Sequence, residues 1–355
     1  MSSPNGTGAG VQLLAEIREQ PRALLGLLEH EAEYARAAAA ARNRGATTVR
    51  MVGHGSSDNA AAYGVYAFGL LPRWTALRDS ITLSVYYGAD LDLSTSTVIG
   101  LSQSGRTPDV VQYVERARRN GALTLAITND DRSELADAAE LVLPLGAGPE
   151  RAVAATKTYL TQLAALGLLA AHAAGRGARF ADDLRVTAGA LAGVVPALER
   201  DIQPLAAPFA FTGRMFVVGR GLEFATAREI ALKLLETCRI AAEPLTATDL
   251  AHGPVAALDP LFPVWAIASE DETLPAVLEA AERVRGTGAT LIASGSAARA
   301  VEDADYVLPM PRPPSPLHAP LLSVVPGQLF AWALAQAKGL DPDRPEGLSK
   351  VTLAQ

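Results

Sequence analysis

The residues best suited to chemistry are Ser102, Gln103, Ser104, Gly105, Arg106 and Thr107. They lie between an apolar run, Thr97 to Leu101, and a stretch from Val110 with helical spacing of apolar residues. A strand that ends in small polar residues and turns into a helix makes an anion site. The first backbone N–H groups of the helix lack partners, and its dipole favours negative charge. Ser102, Ser104 and Thr107 add hydroxyl donors, and Gly105 lets the backbone come close. A phosphate suits such a loop. A polar turn with Thr107 as N-cap and Pro108 at the first helical position accounts for the same residues without a ligand.

Gly53-His54-Gly55-Ser56-Ser57-Asp58 has the same strand-to-helix setting. Loops at the carboxyl ends of parallel strands line one crevice, so Ser56 and Ser57 are expected to face the ligand of the Ser102–Thr107 loop. The dinucleotide spacing Gly-x-Gly-x-x-Gly is absent, because Asp58 holds its third position. Glu229, Lys233 and Glu236 are spaced i, i+4, i+7 and share one helical face. Glu before Lys at i, i+4 is also an ordinary stabilising pair. Ile230, Ala231, Leu234 and Leu235 predict a largely buried helix, where a carboxylate has a raised pKa and exchanges protons near neutrality. His252, in Asp249-Leu250-Ala251-His252-Gly253-Pro254, is the histidine in a turn setting beside that helix and a candidate acid/base. His30 and His172 fall on predicted helices and read as structural. His318 lies in a Pro-rich loop and is left open. The tail from Asp341 carries Lys350, and Leu348, Val351 and Leu353 predict that it packs back on the protein.

These residues need a scaffold of alternating strands and helices. Helix is predicted over 11–42, broken near Pro21, then strand 48–52, helix 57–71, strands 81–86 and 97–101, helix 107–120 and strand 122–127. A short helix over 133–137, a strand over 141–144 and helices over 155–174 and 180–198 follow. Strands separated by helical patterns mean a parallel sheet covered on both faces. The second half repeats the first: Met215 to Gly221 mirrors Arg50 to Gly55, and Gly288 to Ala293 mirrors Gly121 to Ala126. A repeat this long is a duplicated domain. The counterpart of Ser102-Gln103-Ser104-Gly105 is Ser269-Glu270-Asp271-Glu272, whose three carboxylates would repel a phosphate.

The chain of 355 residues carries 31 Lys and Arg against 38 Asp and Glu, a net charge of −7 without long runs. That excludes the basic face that nucleic-acid binding needs. The single cysteine, Cys238, excludes an internal disulfide and a cysteine metal cluster. The start lacks the apolar core of a signal peptide, and the stretch Tyr159 to Ala174 is short for a membrane span. The expectation is a cytoplasmic protein that needs no membrane, nucleic acid, metal or cofactor.

Taken together, the chain resembles the sugar isomerase (SIS) domain family. It is similar to the double-SIS isomerase module of glutamine–fructose-6-phosphate amidotransferases. The resemblance spans residues 11–355 and rests on motifs in one order. They are Gly53 to Ser57, Ser102 to Gly105, Glu150 through Ala154-Ala155-Thr156-Lys157, Gly219 to Gly221, Ala231 to Glu236, His252-Gly253-Pro254, and Leu348 to Thr352. It implies two tandem doubly wound, flavodoxin-like α/β domains: residues 11–198 with the phosphate loop and 199–338 with the acid/base residues. A disordered segment over 1–10 and a site-closing tail over 339–355 flank them. It also implies that Ser56, Ser57, Ser102, Gln103, Ser104, Thr107, Ala154 and Ala155 bind the sugar phosphate. Glu236 would move the proton between C1 and C2, with Lys233 and Glu229 beside it. His252 would open the sugar ring, reaching in from a neighbouring subunit of a homodimer, and Lys350 would close over the substrate. Arg106, where the amidotransferases have an acidic residue, and the expected lack of a glutaminase domain resemble SIS-type glucosamine-6-phosphate deaminases. The expected reaction is glucosamine 6-phosphate plus water giving fructose 6-phosphate and ammonia. A fructosamine-6-phosphate deglycase, an aldose–ketose isomerase, a glutaminase-lacking aminotransferase-like protein and a non-catalytic sugar-phosphate sensor are the alternatives. The roles of Arg106 and His54 are left open.

Overall fold

The structure, a computed structural model, describes residues 8–350. Two five-stranded sheets form the frame, and every recorded strand pairing is parallel. The first contains β1 (Thr48–Val52), β2 (Thr75–Arg78), β3 (Ser96–Ser102), β4 (Leu123–Thr128) and β5 (Leu141–Pro144), in the order β2-β1-β3-β4-β5. The second contains β6 (Arg214–Gly219), β7 (Ala241–Thr246), β8 (Val264–Ile267), β9 (Leu291–Gly295) and β10 (Tyr306–Pro309), in the equivalent order β7-β6-β8-β9-β10. The predicted duplication and doubly wound fold are therefore both present. Central strands β3 and β4 are buried along their whole length, as a parallel sheet with helices on both faces requires.

One apolar core runs through both sheets, from Leu13 to Ala335. Its largest contributors include the Lys157–Ala173 and Ala319–Ala337 helices. Residues 316–337 are long and apolar enough to cross a membrane by length and composition, and that stretch is entirely buried inside the protein. His318, at its start, is buried against Phe180 with ring centroids 4.4 Å apart, and burial pushes its imidazole down to about 4.

Three sequence expectations need correction. The predicted strand over 81–86 is a helix, Ile81–Val85, started by Ser80, whose hydroxyl accepts the Leu83 N–H at 3.3 Å. The strand is Thr75–Arg78, an edge strand too weakly apolar to stand out. Of the N-terminal segment expected to be disordered, residues 1–7 lie outside the described residues. Gly10 is fixed: the Trp332 indole donates to its carbonyl at 3.0 Å, and its N–H reaches Asp341 at 3.3 Å. The tail docks through carboxylates instead of Leu348, which is 47% exposed. Val351 and Leu353 lie outside the described residues.

The carboxylate of Asp343 accepts the N–H groups of Gln12 (3.0 Å) and Leu13 (2.7 Å), satisfying the first turn of the Val11–Arg18 helix. Its backbone carbonyl accepts the Val153 N–H at 3.1 Å. From the same helix, Glu16 accepts the N–H groups of Arg151 and Ala152. The first helix thus ties the tail to the loop over 150–155. Burial pushes the Glu16 carboxyl up to about 7, helped by nearby Glu150 and opposed by the Arg151 N–H.

A carboxyl raised above its unfolded value stabilises the protein below about pH 4.5, and that stability is lost as pH rises through about 7. Glu16→Gln removes the loss, which is about 3 kcal/mol at most. The Tm of the variant minus that of the parent is expected to grow between pH 5 and pH 8 in thermal unfolding. Parallel Tm profiles would contradict the assignment.

Candidate active site

In each sheet the strand order reverses between the first and third strands, which is where doubly wound folds bind ligands. In the first domain the carboxyl ends of β1 and β3 open onto a cavity of about 470 Å³. Ser56, Ser57, Ser102, Gln103, Ser104, Thr107, Ala155, Glu236 and Lys350 line it, together with His54, Asp109 and Val153.

The β3 loop is built to donate. Ser102 Oγ accepts the Gly105 N–H at 3.1 Å and lies 3.0 Å from Thr107 Oγ1. Ser104 Oγ accepts the Arg106 N–H at 3.3 Å. Ser57 Oγ accepts from Gln162 Nε2 at 3.0 Å, which leaves its own proton for the cavity. Gly105 has φ of +64°, and a Cβ there would fall 1.9 Å from Ser133 Oγ, so the loop admits no side chain at this point. The Pro108–Arg119 helix begins directly behind the loop and directs its positive end at the cavity.

The opposite wall comes from the second domain, on the Glu223–Cys238 helix. Glu236 reaches the cavity with 21% of its side chain exposed and pairs with Lys233 Nζ at 2.5 Å. Lys233 and Glu229 lie behind it, essentially without exposure. Burial alone would lower the Lys233 pKa, but the charges of Glu236 and Glu229 outweigh it and hold the ammonium above its ordinary value. Glu229 accepts from Ser56 Oγ and Asn59 Nδ2, both at 2.8 Å, and lies 3.4 Å from Lys233 Nζ. Burial raises its pKa against the opposing effect of these partners. The proton of Ser56 is spent on Glu229, so Ser56 lines the cavity as a positioning group and not as the expected phosphate donor.

Lys350 Nζ pairs with Glu150 Oε2 at 2.7 Å across 200 residues of sequence. Burial would raise the Glu150 pKa, but the Lys350 charge and the N–H and hydroxyl donors of Thr156 and Thr158 outweigh it and hold the carboxylate low. Glu150 stands in a motif picked out in the sequence but was given no role there; nothing local announces so distant a partner. Asp109 was also passed over, although its place in the first turn after Thr107-Pro108 sets it at the cavity rim.

Besides Lys233 and Glu229 behind Glu236, the expected Ala154 and His252 stay outside the cavity, as does Arg106, whose role was open. Ala154 is buried behind the wall that Ala155 forms. Arg106 turns outward, with 57% of its side chain exposed and Asp130 3.3 Å away, because the tight turn at Gly105 sets it on the outer side. His252 is exposed at the end of the Ala247–Ala251 helix, which follows the edge strand β7. Its own chain therefore does not bring it to Glu236.

The second switch point is filled. The offset that pairs Gly53 with Gly219 pairs Ser57 with Glu223. The buried Glu223 carboxylate accepts from Ser269 (2.5 Å), Ser323 (2.8 Å) and Thr226 (2.6 Å). The barrier to a phosphate expected from Glu270 to Glu272 thus sits mainly at Glu223; Glu270 faces outward, paired with Arg312 at 2.8 Å. Among the described residues, no group of three or more His, Cys, Asp or Glu is placed to hold a metal.

Comparison with known proteins agrees with this geometry. The SIS domain profile matches residues 44–172 and 210–337. A glutamine–fructose-6-phosphate aminotransferase of Thermococcus kodakarensis is 34% identical over 95% of this chain, which spans 57% of that longer protein. The C-terminal domain of the glucosamine-fructose-6-phosphate aminotransferase from Francisella tularensis superposes with a TM-score of 0.85 at 25% identity, covering 97% of this chain and 100% of that one. A structure from Silicibacter pomeroyi, provisionally a phosphosugar isomerase, gives 0.82 at 33% identity, covering 93% and 99%. The glucosamine-6-phosphate deaminase of Thermotoga maritima shares the fold, with a TM-score of 0.76 at 22% identity over 97% of this chain and 100% of that one. The chain belongs to the SIS domain family, with two copies of the domain.

Proposed function

We propose that the chain is a sugar-phosphate enzyme that converts glucosamine 6-phosphate and water to fructose 6-phosphate and ammonia. The observation that carries this reading is the cavity itself: a hydroxyl and N–H cradle on one wall and the Glu236–Lys233 pair on the other. Ser57, Ser102, Ser104 and Thr107 hold the phosphate. Glu236 removes the C2 proton of the open-chain aldose and returns it to C1. Lys233, 2.5 Å from Glu236, holds the carboxylate in place, and its charge stabilises the negative charge that develops on O1. The resulting C2 imine is hydrolysed by water. The single thiol, Cys238, is buried and donates to the Ala331 carbonyl at 3.1 Å, so these residues offer no nucleophile for releasing ammonia from glutamine. His252 serves the site of a second copy, in a homodimer that works in the cytoplasm.

Glu236→Gln is expected to reduce ammonia release from glucosamine 6-phosphate by about 10²–10⁴-fold, with substrate binding retained. Wild-type protein that forms fructose 6-phosphate only from other sugar phosphates would overturn the substrate assignment. Sharing of sites is tested by mixing two inactive variants, His252→Asn and Glu236→Gln, under conditions of subunit exchange. Half of the dimers are then mixed and hold one intact site each, so roughly a quarter of wild-type activity returns. No recovery would rule out sharing.

A further inference from the structure

The phosphate wall of the cavity is built from neutral donors: four hydroxyls, the Gln103 amide and backbone N–H groups. The cations near it are engaged elsewhere. Arg106 turns out to Asp130, and Lys350 is paired with Glu150 at 2.7 Å. Arg78 and Arg228 are spent on Asp58, at 2.8 and 2.7 Å. Among the lining residues, one further group is able to carry positive charge, and that is His54.

His54 is held for that purpose. Its Nε2 lies 2.7 Å from Asp109 Oδ2, while the other oxygen of Asp109 accepts the Val110 N–H at 2.9 Å. A carboxylate has no proton to give, so Nε2 carries the proton and the ring orientation is fixed. Nδ1 is left as a lone pair in the neutral ring and becomes a donor once protonated. The His54 side chain is 57% exposed and that of Asp109 11%, so the imidazole is the accessible member of the pair. Without a proton on Nδ1, a phosphate dianion would enter beside the Asp109 carboxylate with only the partial positive charge of the Pro108–Arg119 helix start to offset it, which is unfavourable. The other charged groups facing this space are Glu236, tied to Lys233, and Lys350, tied to Glu150.

We infer that His54 is a ligand of the substrate phosphate, and that binding of a phosphate dianion is coupled to uptake of one proton from solvent at His54 Nδ1, with Asp109 carrying the countercharge. The N–H formed at Nδ1 donates to a phosphate oxygen with a positive charge on the donor as well as a negative one on the acceptor, which the neutral serines do not provide. This inference rests on the sugar-phosphate reading of the cavity and adds an ionisable ligand to it.

The test is calorimetric titration with glucitol 6-phosphate, which has no carbonyl group or ring to react, at pH 7.5 in buffers of different ionisation enthalpy. The expected result for the wild type is a measurable net uptake of protons on binding. His54→Gln is expected to bind about tenfold more weakly, a loss of about 1.4 kcal/mol, with that uptake abolished. His54→Lys, with a fixed charge, restores most of the affinity without restoring uptake. Undiminished uptake and affinity in a folded His54→Gln protein would overturn the role of His54 while leaving the sugar-phosphate reading intact. A wild-type protein that binds neither glucitol 6-phosphate nor inorganic phosphate would overturn both.

Discussion

The structure depends on one buried carboxylate. Glu229 has no exposed side-chain surface, and a charge in that position is costly unless every lone pair is used. Its partners come from both halves of the chain: Ser56 and Asn59 from the helix that follows β1, and Lys233 from its own helix. Arg228 adds a second tie, to Asn59 at 2.9 Å and Asp58 at 2.7 Å. These contacts join the start of the helix after β1 to the middle of the equivalent helix after β6. They fix the distance between the serine cradle and Glu236. Losing a donor would leave a buried charge short of a partner and would loosen the registry of the two walls together.

Duplication supplied two equivalent switch points, and the chain uses them differently. At the first, Ser57 accepts from Gln162 and keeps its own proton for the cavity, which Ser102 also lines. At the second, Glu223 stands in the place of Ser57, and its own carboxylate takes the hydroxyl of Ser269, the counterpart of Ser102. Burial raises the Glu223 pKa, as expected for an acid enclosed in protein with only hydroxyl partners. One half thus keeps an open cradle of donors and the other is closed by an internal carboxylate. The second half is left to contribute its helix, with Glu229, Lys233 and Glu236, to the first half's cavity.

Much of this was legible in the sequence, because strand-to-helix turns carry their chemistry in short, local runs. Ser102 to Thr107 could be read as an anion loop, and the spacing of Glu229, Lys233 and Glu236 placed them on one face. The failures have physical causes. Ile81, Leu83 and Val85 alternate like a strand, but Ser80 caps a helix there, and a two-residue period over so short a stretch does not separate the two. Edge strand β2 buries little, so its residues gave a weak signal. Lys350 with Glu150, His54 with Asp109 and Glu16 with the loop at 151–152 are long-range pairings, set by how the domains and tail close on one another. Charge alone left the role of Arg106 open; the backbone turn at Gly105 sets it facing outward.

The central claim is that Glu236 shuttles a proton between C2 and C1 of a sugar whose phosphate is held on the facing wall. Incubation of glucosamine 6-phosphate with the protein in D₂O, followed by NMR, tests it most directly. Fructose 6-phosphate is expected with one equivalent of ammonia, and both products are lost in Glu236→Gln. The new C1 hydrogen is protium from C2 where Glu236 delivers it before exchange, and deuterium where exchange with solvent comes first. A sugar phosphate that binds yet keeps its C2 proton and its amine would contradict it.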